Sequence, residues 1–143
     1  MFIGEYSYSI DHKGRVALPP KFRARLGLGC VVTKGLDNAL FLFPHEEWQK
    51  LAEKLSNLPL TSSRARAFTR LMLSGAIDLE PDKQGRITIP LYLREFAQLR
   101  ESVVVAGLYN RVEIWSKSAW EKYQKENEED SSAIAENLSE LGI

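Results

Sequence analysis

The 143-residue chain carries the same passage twice, and this repeat limits its fold more than any other feature. Asp11-His12-Lys13-Gly14-Arg15-Val16-Ala17-Leu18-Pro19 aligns with Asp82-Lys83-Gln84-Gly85-Arg86-Ile87-Thr88-Ile89-Pro90 at an offset of 71, and the match runs on to Arg23 with Arg94. One inserted residue moves the offset to 72. Val31-Val32-Thr33-Lys34-Gly35-Leu36-Asp37-Asn38 then falls on Val103-Val104-Val105-Ala106-Gly107-Leu108-Tyr109-Asn110, and Trp48 falls on Trp120. Shared composition alone would not hold register over such a distance. The chain reads as a duplicated module, about 3–55 and 74–127, with repeat cores at 5–47 and 76–119 and a C-terminal segment at 120–143. One module of roughly fifty residues buries too little surface to stand alone, so the two copies are expected to close on each other.

Within each copy the periodicity favours short strands. Tyr6 to Ile10, Arg15 to Leu18 and Arg86 to Ile89 alternate with a period of two, as half-buried strands do. Gly14 and Gly85 supply the positive φ of a tight turn, and Asp11 and Asp82 open those turns with a carboxylate that accepts turn N–H groups. Pro19 and Pro90 stop each strand, and a short helical stretch follows, Lys21 to Leu26 in the first copy. Next come an apolar strand at Cys30 to Thr33, a turn at Asp37-Asn38, and a strand at Leu40 to Phe43. A helix entered through Pro44 then carries Trp48, Leu51, Leu55 and Leu58 on one face. The second copy repeats this order through Ile114-Trp115 and a helix with Trp120 and Tyr123. Between the copies, Ala65, Phe68, Leu71 and Met72 predict a connecting helix over Ser62 to Ser74, stopped by Gly75 and decorated by Arg64, Arg66 and Arg70. The expected class is mainly β with peripheral helices (α+β), a pseudo-twofold β-barrel built from both halves.

The formal charge is zero, from 19 basic and 19 acidic residues, yet the distribution is uneven. Residues 1–120 carry 17 Lys and Arg against 12 Asp and Glu, whereas residues 121–143 carry 2 against 7. A basic body and an acidic tail cancel, so nucleic acid is not excluded as a partner. In the tail, Ile134, Leu138 and Leu141 either line a short final helix, dock on a neighbour, or belong to a frayed end. Cys30 is the only cysteine and His12 and His45 the only histidines, so no disulfide or metal site is expected, and Cys30 reads as a small buried apolar residue. No cofactor is expected. The absence of a basic leader and of any run near twenty apolar residues points to a cytoplasmic protein with no membrane partner.

The paired Asp-x-x-Gly-Arg signatures, both following prolines, both tryptophan helices and the Met-Phe-x-Gly start resemble the MraZ family, a duplicated relative of the AbrB/SpoVT DNA-binding domains. The resemblance covers nearly the whole chain. It implies a swapped-hairpin or double-psi-like barrel, and a transcriptional regulator that binds short direct repeats of double-stranded DNA upstream of the division and cell-wall gene cluster, its own gene included. It also implies a ring-like homo-oligomer on the nucleoid.

The residues point the same way by themselves. Lys13 with Arg15, and Lys83 with Arg86, set two basic side chains on each exposed turn. Arginine offers a planar fork for guanine edges or phosphate oxygens, and lysine adds a point charge. Arg23, Arg25 and Arg94, on the short helices after the prolines, would extend this patch. Asp11, Gly14, Asp82 and Gly85 read as turn-shaping residues, the two aspartates also orienting the arginines. The spacing equally allows each Asp and Arg merely to bond one another across the turn.

Two other classes are weighed. A catalytic pair of Asp11 and Asp82 would have to share a proton in a site free of cations, yet each is followed within four residues by Lys and Arg; with no triad among the serines, histidines and Cys30, no enzyme is expected. A pure protein-binding role of the antitoxin kind would need a docking segment. Only the acidic tail offers one, and it lacks a long apolar stripe.

Overall fold

A computed structural model of the chain describes residues 1–142. Its eight strands are β1 (Phe2–Ser9), β2 (Arg15–Ala17), β3 (Cys30–Lys34), β4 (Leu40–Pro44), β5 (Ile77–Leu79), β6 (Arg86–Thr88), β7 (Ser102–Tyr109) and β8 (Val112–Ser116). Its helices are α1 (Arg23–Leu26), α2 (His45–Ser56), α3 (Ser63–Thr69), α4 (Leu91–Ala97), α5 (Lys117–Glu129) and α6 (Ser131–Asn137). The class is mixed α and β, built on two internal repeats.

The pairing pattern carries the pseudo-twofold. Six strands form one sheet in the order β1-β7-β8-β4-β3-β5, and β2 pairs with β6 as a separate ribbon. Exchanging each strand for its repeat counterpart returns the same order. The axis passes through two pairs of equivalent residues: Val16 opposite Ile87 in the ribbon, flanked by Arg15–Thr88 and Ala17–Arg86, and Phe41 opposite Glu113 between β4 and β8, flanked by Leu40–Ile114 and Leu42–Val112. Each repeat lends its first strand to the other, β1 to β7 and β5 to β3. Neither repeat therefore completes its own sheet.

The sheet does not close into the expected barrel. Among the described residues β1 and β5 are its two edges, each paired on one side only. The three-residue strands β2 and β6, stopped by Pro19 and Pro90, spend their hydrogen bonds on each other, and β2 reaches β1 only through a single Ile10–Val16 bridge. The ribbon instead covers one face of the sheet. Val16, Leu18, Ile87 and Ile89 pack with Val32, Leu40, Leu42, Val103, Val105, Val112 and Ile114 in one buried cluster, which alternation along each strand directs inward. The opposite face takes α2 and α5: Trp48 of α2 packs on Phe43, while Trp120 and Tyr123 of α5 pack on Trp115.

The connecting segment forms α3, capped by the Ser62 hydroxyl on Ala65 N–H, and then widens into a π turn over Arg70–Ser74 before Gly75. Met72 in that turn is buried, and its carbonyl accepts the Thr33 hydroxyl at 2.6 Å. Cys30 is fully buried, which pushes its thiol up to about 12 and leaves it inert as a nucleophile. No described helix is long and apolar enough to cross a membrane.

Candidate nucleic-acid interface

Each hairpin turn is organised by the residue that opens it. Asp11 Oδ1 accepts the backbone N–H of Lys13 at 3.0 Å and of Arg15 at 2.9 Å, while Oδ2 accepts Arg15 Nε. Asp82 repeats the arrangement with the N–H groups of Gln84 and Arg86, both at 2.9 Å, and with Arg86 Nε at 3.0 Å. Gly14 N–H and Gly85 N–H then close the turns onto the Asp11 and Asp82 carbonyls at 3.0 and 2.9 Å. Donors aimed at the charged form hold Asp11 at about 2, the Arg15 N–H contributing most; Asp82 is lowered for the same reasons, led by Arg86 N–H.

The Asp–Arg bond is therefore present, but it engages Nε alone. Neither terminal nitrogen of Arg15 or Arg86 has a protein partner among the described residues, and each side chain is 31% exposed. The carboxylate holds the stem of the arginine and leaves its two-pronged end outward.

Pairing of β2 with β6 sets these two arginines on one surface. Val16 and Ile87 point into the core at 0% exposure, so alternation turns Arg15, Ala17, Arg86 and Thr88 to the outside of the ribbon. Arg15 sits opposite Thr88 and Arg86 opposite Ala17, which makes the arginines diagonal neighbours, about 7–8 Å apart by ladder spacing. Lys13 and Lys83 are exposed at the two turn tips. Cross-ties fix the turns to one another: Leu18 N–H donates to the Gly85 carbonyl at 2.9 Å and Ile89 N–H to the Gly14 carbonyl at 2.8 Å.

Arg23 and Arg94 serve the ribbon from beneath. Arg23 Nε donates to the Leu18 carbonyl at 3.0 Å and Arg94 Nε to the Ile89 carbonyl at 2.9 Å. Each lies across the turn glycine of the other repeat. A Cβ on Gly14 would stand 2.5 Å from the Ile89 carbonyl oxygen and 2.7 Å from Arg94 Nε, and one on Gly85 would collide with the Arg23 guanidinium. With φ of +86° and +76° as well, both positions require glycine.

Arg25 is placed differently from the other candidates. Its Nη2 bonds Glu46 of α2 at 3.0 Å, its guanidinium stacks 4.8 Å from the Phe2 ring centroid, and it has no recorded partner on the hairpins. Thr88 and Ala17 joined the outward face without notice from the sequence. Alternation along each strand was legible, but the pairing of β2 with β6 that puts them beside Arg15 and Arg86 was not.

The family described as "MraZ protein, putative antitoxin-like" matches this chain twice, over residues 1–71 and 72–141. The chain belongs to the MraZ family. Among its relatives, the protein named "Transcriptional regulator MraZ" from Thermoanaerobacter pseudethanolicus is 52% identical over 143 residues, covering all of both chains. Proteins of the same name from Caldanaerobacter subterraneus and Natranaerobius thermophilus are each 51% identical, also over the full length of both. The two MraZ matches meet inside the π turn at Leu71 and Met72, so each copy of the family unit includes its own terminal helix, α3 in the first and α6 in the second.

Proposed function

We propose that this MraZ chain is a non-enzymatic transcriptional regulator that reads double-stranded DNA with the β2·β6 ribbon. The observation that carries the reading is the outward pair Arg15 and Arg86, each held at Nε by its own aspartate with its terminal nitrogens unclaimed. A two-stranded ribbon fits the DNA major groove, where an arginine fork meets the O6 and N7 of guanine. Lys13 and Lys83 then face phosphates, and Arg23 and Arg94 raise the potential beneath the turns. Arg25, tied to α2, adds charge from further off.

The targets under this reading are short direct repeats upstream of the division and cell-wall gene cluster, including the protein's own promoter. A ring-like homo-oligomer presents successive ribbons at a fixed interval, in the cytoplasm and on the nucleoid. The repeat cores 5–47 and 76–119 are the reading units, and 120–143 is an acidic appendage, helical over α5 and α6. Selection from random DNA tests the reading: direct repeats at one spacing should emerge, and inserting about five base pairs, half a helical turn, should abolish the gain from a second repeat. Recovery of no common sequence would refute it.

A further inference from the structure

Away from the ribbon, a cleft and the C-terminal tail have complementary properties. The cleft, of about 510 Å³, lies on the helix-bearing face of the sheet, between α2, the connecting segment and the β7–β8 turn. Phe41, Phe43, Phe68, Met72 and Tyr109 form its walls; Lys50 pairs with Glu47 and Arg111 with Glu113, which leaves Lys54 as the lining cation with no carboxylate partner among the described residues. Tyr109 is 68% exposed and adopts φ +69°, a backbone conformation that bulky side chains rarely take. The tight β7–β8 turn thus presents an aromatic ring to the cleft.

The pseudo-twofold generates a second such cleft, and it is smaller. In the second repeat the corresponding space is about 220 Å³. There Tyr123 stands where α2 has Leu51, and its ring packs 5.0 Å from that of Trp115. Asp37 takes the place of Tyr109, and Glu126 that of Lys54. The second copy is partly filled by its own helix and carries Glu126 where the first carries Lys54.

The other surface is the tail. Every residue from Ser131 to Gly142 is exposed, including Ile134, Leu138 and Leu141, which fall at helical spacing along α6 and the turn after it. Glu136 and Glu140 flank that stripe, and Glu128, Glu129 and Asp130 precede it. A seven-residue helix is too short to hold itself together in water and needs a surface to pack on. Its counterpart in repeat order has one: the segment after α3 buries Met72 and accepts the Thr33 hydroxyl.

We propose that the larger cleft of one chain receives the acidic tail, residues 131–141, of a second copy. The apolar stripe seats on the aromatic walls while Glu136 and Glu140 meet Lys54. A second copy is the occupant because the tail leaves α5 from the half of the sheet that carries Trp115, whereas the cleft lies over the half that carries Phe41 and Phe43. Tail and cleft are different surfaces, so the contact is head-to-tail and propagates until a ring closes. The inference deepens the self-assembly part of the proposed function and is independent of what the ribbon binds.

Site-directed crosslinking in the full chain tests it without DNA. Under mild oxidation, an equimolar mixture of Tyr109→Cys and Leu138→Cys chains should form a mixed disulfide, with buried Cys30 silent. The Tyr109→Cys/Leu138→Cys double variant should give a ladder of linked chains on a non-reducing gel. Leu138→Asp, with thermal unfolding run in parallel, should weaken assembly at least about tenfold in sedimentation. Lys54→Glu should do the same, and combining it with Glu136→Lys and Glu140→Lys should restore assembly. No mixed disulfide, a double variant linked only within itself, or assembly indifferent to Leu138→Asp would overturn the proposal. None of these outcomes bears on DNA binding, so the two readings fail separately.

Discussion

Replacing Gly14 with alanine puts a single methyl group where the two repeats approach closely. At φ +86° an alanine pays about 1–2 kcal/mol for a left-handed backbone. Its Cβ also meets the Ile89 carbonyl oxygen at 2.5 Å and Arg94 Nε at 2.7 Å. Neither can retreat freely, because Ile89 is tied by its N–H to the Gly14 carbonyl and Arg94 by its Nε to the Ile89 carbonyl. Overpacking of this kind costs a further ~1–3 kcal/mol, for a total of about 2–5 kcal/mol. With a urea m value near ~2 kcal/mol/M, the unfolding midpoint should fall by about 1–2.5 M with m unchanged. Gly4 is the control. It has φ +94°, but the nearest atoms to an added Cβ belong to the Tyr6 ring at 3.5 Å, so Gly4→Ala should show the backbone cost alone. Equal losses at Gly4 and Gly14, or none at Gly14, would refute the close approach of the repeats at the turns.

Thr33→Val keeps the shape of the side chain but leaves the buried Met72 carbonyl without its donor, and should cost ~1–3 kcal/mol in the same urea assay. Asp11 is held at about 2, below the ~3.9 of an unfolded aspartate, so its contribution to stability is complete above about pH 4 and disappears as pH falls through about 2. Urea midpoints measured across that window should show Asp11→Asn differing most from the parent at pH 5 and converging with it toward pH 2; Asp82→Asn should follow the same direction.

The repeat made much of this architecture legible. A repeat register kept, with one inserted residue, through Asp11 and Asp82, Gly14 and Gly85, Pro19 and Pro90, and Trp48 and Trp120 implies a pseudo-twofold, and the turn role of the two aspartates follows from their place before glycine. Closure was misjudged for a physical reason. Nothing local in Arg15 to Leu18 says that β2 will spend its hydrogen bonds on β6 rather than on a sheet edge. Arg23 and Arg94 read as patch residues, because their grip on the Leu18 and Ile89 carbonyls depends on each repeat's helix lying across the other's turn. The exchange of β1 and β5 between repeats is equally non-local. The repeat put Tyr109 at a turn, aligned with Asp37, but its role as a wall of the cleft depends on the connecting segment packing beside it and was not legible.

Equilibrium DNA binding of three single-arginine variants, with thermal unfolding run in parallel, tests the central claim most directly. Arg15→Ala removes one outward fork, and losing a two-point base contact worth ~1–3 kcal/mol should weaken binding to the selected repeat about 5- to 150-fold while leaving the melting temperature nearly unchanged. Arg86→Ala should behave likewise, because the pseudo-twofold puts it on the same face. Arg25→Ala, whose partners are Glu46 and Phe2, should bind almost as the parent does. Parent-like DNA affinity in both Arg15→Ala and Arg86→Ala, or a loss that merely tracks unfolding, would contradict the assignment of the β2·β6 ribbon as the surface that reads DNA.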